Sequence, residues 1–240
     1  IIGFTGTLDA KAVLTEGLAE LEYRGYDSAG IAYVTKQGIK TIKTAGKVSC
    51  LKEKVESIKE QDQTTCGIGH TRWATHGGVS DINSHPHTAG RVTLIHNGII
   101  ENYQKLQAEL EKKGKKPISQ TDTEIAAMVI DDYYEGDPIK AIKNAVKCLQ
   151  GAYAFLIMFQ EFPGKIYCIR NGSPLVATYT EKGAIIASDM VALIKYSKDY
   201  FVLPEHHIAT LTTDGIKITN LLDQPVEPKM LHVNWDMASA

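Results

Sequence analysis

The sequence predicts an α+β fold whose helices and antiparallel strands form separate layers. Three observations carry this prediction. Strand-like apolar runs gather near the start of the chain and again, densely, after residue 152. Helical patterns follow one another from about residue 103 to residue 150. Short glycine-containing connections, Lys36-Gln-Gly38 and Thr213-Asp-Gly215, join strand patterns in the way hairpins do. Segregation of this kind favours layered α+β architecture over a doubly wound parallel sheet, in which the two patterns alternate.

The chain opens on an apolar run, Ile1-Ile-Gly-Phe4, read as a strand. Asp9 then stands as N-cap to a helix whose residues Ala10, Val13, Leu14, Leu18 and Leu21 fall on one face and which ends near Tyr23. Strands are expected over 29–34 and 39–43, a charged helix over 51–60, and strands over 66–70 and 91–96. The last two bracket a polar, glycine- and histidine-containing loop of more than fifteen residues. Loops of that length in compact domains are usually functional or disordered. Helices are predicted over 103–113, 123–134 and 138–150. The third has Asp137 as N-cap, Pro138 in its first turn, and a buried face marked by Ile139, Ile142, Val146 and Leu149. Strands over 152–159, 165–170, 175–179 and 184–187, a short helix over 189–196 and the 213–215 hairpin complete the pattern.

At 240 residues and 43% hydrophobic content the chain can build a sizeable core without staples. Its 26 basic and 28 acidic residues nearly cancel, leaving no broad positive field for nucleic acid. Cys50, Cys66, Cys148 and Cys168 lie far apart with no CxxC pair, which reads as reduced thiols in the cytoplasm. No apolar run approaches the roughly 20 residues that cross a bilayer, and no signal-peptide pattern opens the chain. Small-molecule chemistry is the class that survives.

The segment His70-Thr-Arg-Trp-Ala-Thr-His-Gly77 gathers a cation, hydroxyls, an indole and imidazoles at the end of a strand pattern. A guanidinium such as that of Arg72 matches a carboxylate bidentately, although a surface or ion-paired arginine is the simpler reading. Trp73 suits either a core or a lid. Asn97-Gly98 follows the apolar run 92–95, where two adjacent donors can stabilise an oxyanion, yet the same dipeptide is a common turn. In Thr121-Asp-Thr-Glu124, Thr121 and Glu124 match a capping box, whereas Asp122 has two readings: an acid placed at a helix N-terminus, or a pocket carboxylate that holds an ammonium. His70, His76, His85, His87 and His96 crowd into 27 residues, as metal ligands do, but without the acidic ligand spacing of zinc hydrolases.

Taken together, Arg24-Gly-Tyr-Asp-Ser-Ala-Gly30, His70 to Gly77, Asn83-Ser-His-Pro-His87, His96-Asn-Gly-Ile-Ile-Glu-Asn102 and Thr121 to Glu124 closely resemble the glutaminase domains of glutamine–fructose-6-phosphate aminotransferases, across essentially the whole chain. Amidophosphoribosyltransferases share the fold and the Asn-Gly pair but differ in the first two motifs. The resemblance implies a four-layer αββα sandwich of two antiparallel sheets, the N-terminal-nucleophile hydrolase fold. It implies one domain over 1–222, with 223–240 beginning a linker to a C-terminal sugar-isomerase half.

It also implies hydrolysis of L-glutamine to glutamate and ammonia through a thioester on an N-terminal cysteine. That Cys-Gly pair is expected directly before Ile1, and a chain truly starting at Ile1 is expected to bind glutamine poorly and not to hydrolyse it. By resemblance, Arg72 with Thr75 and His76 clamps the α-carboxylate, Asp122 takes the α-ammonium, and Asn97 and Gly98 stabilise the oxyanion. Trp73 belongs to a loop that folds over glutamine, and Arg24 supports the N-terminal end. No cofactor and no metal are implied. The ammonia would pass to fructose 6-phosphate and yield glucosamine 6-phosphate in a homodimeric, cytoplasmic, full-length protein. Two alternatives are a glutaminase serving another acceptor and a catalytically dead glutamine-binding module.

Overall fold

Side chains alternate along extended backbone, and here that alternation sorts the apolar residues into three separate cores. The computed structural model describes residues 1–59, 63–74 and 77–234. In chain order the elements are β1 (Ile2–Gly6), α1 (Ala10–Leu21), β2 (Ser28–Thr35), β3 (Gly38–Ala45), α2 (Val48–Glu56), β4 (Cys66–Arg72), β5 (His87–Ala89), β6 (Val92–Ile100), α3 (Tyr103–Lys112), α4 (Asp122–Tyr133), α5 (Pro138–Val146), β7 (Gly151–Phe159), β8 (Ile166–Asn171), β9 (Val176–Thr180), β10 (Gly183–Ala187), β11 (Asp199–Val202), β12 (His207–Thr212), β13 (Gly215–Asn220) and β14 (Leu231–His232).

The strands make an eight-stranded sheet, ordered β14-β11-β9-β10-β1-β4-β2-β3, and a six-stranded sheet, ordered β13-β12-β8-β7-β6-β5. Every ladder is antiparallel. Strand β7 shows how the layers arise. Phe155, Ile157 and Phe159 turn outward to Ile125, Ile130 and Ile142 on the helices of the smaller sheet. Ala154, Leu156 and Met158 turn inward to Ile68 and Ile186 of the larger sheet. On that sheet's far face Ile2 and Phe4 meet Leu14, Leu18 and Leu51 of α1 and α2. The result is the four-layer αββα sandwich, and each fully buried Leu, Ile or Phe contributes about 1.5–3 kcal/mol to it.

The expected caps form. Asp9 accepts from the Lys11 amide at 3.2 Å and Asp137 from the Lys140 amide at 3.2 Å. At α4, Thr121 Oγ1 accepts from the Glu124 amide at 3.2 Å. The reciprocal half of the capping box is replaced: the Glu124 carboxylate accepts from the amides of Ile118 and Ser119, at 3.0 and 2.6 Å, and so ties down the incoming loop.

Several element boundaries differ from those the sequence predicts. Helix α2 begins at Val48 and ends at Glu56, because Val48, Leu51 and Val55 form its buried stripe. Helix α5 stops at Val146, where the amides of Cys148 and Leu149 turn back onto the carbonyls of Ala145 and Val146. The predicted helix over 189–196 is a 3-10 turn at Met190–Ala192. Strand β6 does not end at 96: β7 pairs with it as far as Ile100↔Gly151. Strands β5, β11 and β14, of three, four and two residues, have too little pattern to be seen in the sequence. Beyond residue 222 the chain stays against the body, with the Val226 amide on the Ile218 carbonyl and the Val233 amide on that of Lys198, both at 2.9 Å.

Candidate active site

Four segments converge at one end of the sandwich: the end of β4 brings Arg72, the middle of β6 brings Asn97 and Gly98, the start of α4 brings Asp122, and Ile1 arrives beside Ser188. They line a cavity of about 210 Å³, with Arg24 and Trp73 also on its wall. Six of the eight residues to which the resemblance gives a role, Arg24, Arg72, Trp73, Asn97, Gly98 and Asp122, therefore share one pocket. Thr75 and His76 lie outside the described residues.

Arg72 is only 4% exposed, and its guanidinium donates to the carbonyls of Gly77 and Gly78, each at 3.3 Å. Burial pulls its pKa below the usual value, while Asp27 and Asp122 pull it upward. An arginine remains charged through such a shift, so the pocket keeps a planar cation. Asp27 also braces the backbone on either side of Trp73. Its amide donates to the Arg72 carbonyl at 2.9 Å, and its carboxylate accepts from the Ala74 amide.

Asp122, equally buried, accepts from the Ile100 amide at 2.8 Å, which links α4 to the strand carrying Asn97 and Gly98. Those two are not in a turn. They sit inside β6, paired with Ala154 and Tyr153, and Gly98 holds φ at 122°, where a Cβ would lie 2.1 Å from the Ala152 carbonyl oxygen. Only glycine fits that conformation at that approach. Trp73 is 70% exposed, which excludes the core reading, and its ring lies over Gly25. Arg24 pairs with Asp189 at 3.2 Å, and Tyr23 donates to the same carboxylate.

Three contributors were not legible as site residues. Ser188 clamps the start of β1: its amide donates to the Ile1 carbonyl and its Oγ accepts from the Ile1 nitrogen, both at 3.0 Å. Asn83 donates to Gly78 at 2.9 Å and accepts from the Gln120 amide at 3.0 Å, joining the arginine's loop to the segment that leads into α4. Thr123 lines the cavity beside Asp122. Asn83 belongs to a motif noticed in the sequence; Ser188 carries no local signal, because its partner is 187 residues away.

Three of the clustered histidines pack against one another. His70 and His85 stack at 3.9 Å, and His85 meets His87 edge-on at 4.9 Å. Among the described residues no group of three or more His, Cys, Asp or Glu is arranged to hold a metal ion. Burial drives His70 and His85 well below the ordinary histidine pKa, and His87 to about 3. These imidazoles are neutral hydrogen-bonding groups.

A buried cation, a buried carboxylate and a glycine-bearing strand thus surround one cavity. The chain belongs to the glutamine amidotransferase domain family, whose model matches residues 70–195, more than half of its length. Among curated proteins it is similar to the glutamine–fructose-6-phosphate aminotransferase (isomerizing) of Symbiobacterium thermophilum, 43% identical over 242 positions that cover 100% of this chain and 39% of that protein. The protein of the same name from Thermus thermophilus is also 43% identical, with 100% and 40% covered. The chain thus spans about two fifths of the length of these relatives. A solved glutamine phosphoribosylpyrophosphate amidotransferase from B. subtilis, complexed with ADP and GMP, shares the fold at a TM-score of 0.78 and 24% identity, covering 92% of this chain and 48% of that one.

Proposed function

We propose that this chain is the glutaminase domain of a longer aminotransferase, hydrolysing L-glutamine to glutamate and ammonia. The observation that carries the reading is the convergence of Arg72, Asp122, Asn97-Gly98 and Ile1 on one cavity. Glutamine is a zwitterion with an amide some carbons away, and such a molecule needs a cation, an anion and an oxyanion site in that arrangement.

In this reading Arg72 holds the α-carboxylate, with Thr75 and His76 assisting, and Asp122 holds the α-ammonium. The nucleophile is a cysteine in a Cys-Gly pair directly ahead of Ile1. Its thiolate attacks the amide carbon, and the resulting oxyanion is met by the Asn97 side chain and the Gly98 N–H. The carbon–nitrogen bond then breaks as the nitrogen takes a proton from the cysteine's own amine, releasing ammonia and leaving a thioester. Water cleaves the thioester to glutamate and restores the thiol. Trp73 covers the bound substrate, and Arg24, through Asp189, steadies the N-terminal end. No cofactor enters the scheme.

Domain 1–222, the stretch from 223 as a lead toward a C-terminal isomerase half, fructose 6-phosphate as ammonia acceptor, a homodimeric full-length protein and a cytoplasmic setting belong to the same proposal. The relatives' names and greater length support the acceptor half. The free thiols of Cys50, Cys66, Cys148 and Cys168 support the reducing compartment. No helix among the described residues is long and apolar enough to cross a membrane.

The test is glutamate release by a chain carrying Cys-Gly before Ile1, against its Cys→Ala counterpart. We expect release only from the first, and glucosamine 6-phosphate only from the full-length protein given fructose 6-phosphate. Absence of glutamate from the cysteine-bearing chain would overturn the reading.

A further inference from the structure

Along the wall of the pocket runs a closed circuit of buried polar groups drawn from four segments. His70 Nε2 donates to the His96 carbonyl at 3.0 Å. The His96 ring is held through Nδ1 by Thr123 Oγ1 at 3.1 Å, and Thr123 Oγ1 is 3.4 Å from His85 Nε2. His85 closes the circuit by stacking on His70, 3.9 Å between ring centres and 15° between planes.

One proton arrangement satisfies these contacts with all three rings neutral. His96 Nε2 donates toward the Ala152 carbonyl at 3.5 Å, so its Nδ1 accepts the Thr123 hydroxyl proton. Thr123 oxygen then accepts from His85 Nε2. His70 and His85 are left with Nδ1 lone pairs that find no protein partner. The arrangement thus orphans acceptors and no ring N–H, and orphaned buried N–H groups are the rarer defect.

The placement of the circuit matters more than its chemistry. His70 stands two residues before Arg72 on β4, His96 directly before Asn97-Gly98 on β6, and Thr123 directly after Asp122 on α4. Each substrate-facing group is therefore one or two residues from a member of the circuit, and the circuit joins both sheets and a helix. We propose that His96 and Thr123 are positioning residues for glutamine turnover, fixing the spacing between the carboxylate clamp, the ammonium acceptor and the oxyanion donors. Neither acts on the reacting atoms. Misplacement of such groups by about 1 Å costs on the order of 100-fold in rate.

This inference rests on the glutaminase reading, and the experiment separates the two. In the Cys-Gly-bearing chain, Thr123→Val keeps the side-chain shape and deletes both hydrogen bonds, whereas Thr123→Ser keeps the hydroxyl. We expect Thr123→Val to lower kcat for glutamine by about 10- to 100-fold, with KM rising less than kcat falls. Thr123→Ser should restore kcat to within about threefold of the parent. Ring 15N shifts of His85 and His96 should change in Thr123→Val and return in Thr123→Ser. A Thr123→Val protein with parental kcat overturns the positioning role while the glutaminase reading stands. So does a serine variant as impaired as the valine one, which would mark a packing effect alone. A parent that releases no glutamate removes the underlying reading and this inference with it.

Discussion

At Arg72 the sequence offers a charge and the fold supplies its aim. A lysine there would keep the charge but lose the planar fork, and with it the paired bonds to a carboxylate. For Arg72→Lys in the cysteine-bearing chain we expect the glutamine KM to rise about 10- to 100-fold, the equivalent of one or two charge-assisted hydrogen bonds, with a smaller change in kcat. Steady-state kinetics decide it, and a KM within twofold of the parent would remove Arg72 from the carboxylate site. Asp122 illustrates how far residue-level reading reaches. Its neighbours Thr121 and Glu124 mark a helix start, and the sequence leaves the aspartate between a helix-terminus role and a pocket role. The structure buries it in the cavity wall, where it also accepts the Ile100 amide.

Among the elements, long amphipathic segments were legible and short pairings were not. Helices α1 and α5 follow from apolar spacing and caps, α3 from the spacing of Leu106 and Leu110, and α4 from the capping residue Thr121, since α4 is buried all round over Asp122 to Ile130. Strands β5 and β14 consist of three and two residues whose only reason for being extended is a partner distant in sequence or a neighbouring ladder. The same limitation misplaced Asn97-Gly98. An Asn-Gly pair after an apolar run looks like a strand end, and only the ladder to β7 keeps the backbone extended through a glycine at φ 122°. Ser188 lies beyond such reasoning altogether.

The link between β4 and the Arg24 turn gives an element-scale prediction. Gly25 has φ 132°, and a Cβ there would meet the Trp73 ring at 2.5 Å. Gly25→Ala should displace the indole and destabilise the domain by about 1–3 kcal/mol through backbone strain. The chain has two tryptophans, so the variant is best made with Trp235→Phe, leaving Trp73 as the reporter. A shifted emission spectrum and a lower urea midpoint are expected; unchanged values of both would show that the indole has room to spare.

For the whole molecule, the buried imidazoles make stability depend on pH. A histidine whose folded pKa is depressed leaves stability intact above its unfolded value of about 6.5 and removes it progressively as pH falls below that. His87, held at about 3, is silent in the folded state until far more acidic conditions, while the unfolded chain takes up its proton. It should cost about 1 kcal/mol between pH 6.5 and 5.5. Lys43, drawn down to about 8 by burial, is protonated in both states throughout that window and adds no slope. Urea midpoints at pH 7.5, 6.5 and 5.5 should therefore fall mainly in the last step. His87→Asn should flatten the fall by about one histidine's share, and an identical slope in both proteins would mean that His87 titrates normally.

The clamp of Ser188 on Ile1 closes a span of 187 residues, and β1 lies in the middle of its sheet, between β10 and β4. During synthesis at about 5–20 residues per second, the chain's first strand waits on the order of ten to forty seconds for the segment that seats it. Until then β1 has one neighbour and an open flank. The pocket is therefore completed late, and a nascent chain halted between Asp122 and Ser188 carries Arg72, Asn97, Gly98 and Asp122 without the serine that clamps Ile1 beside them.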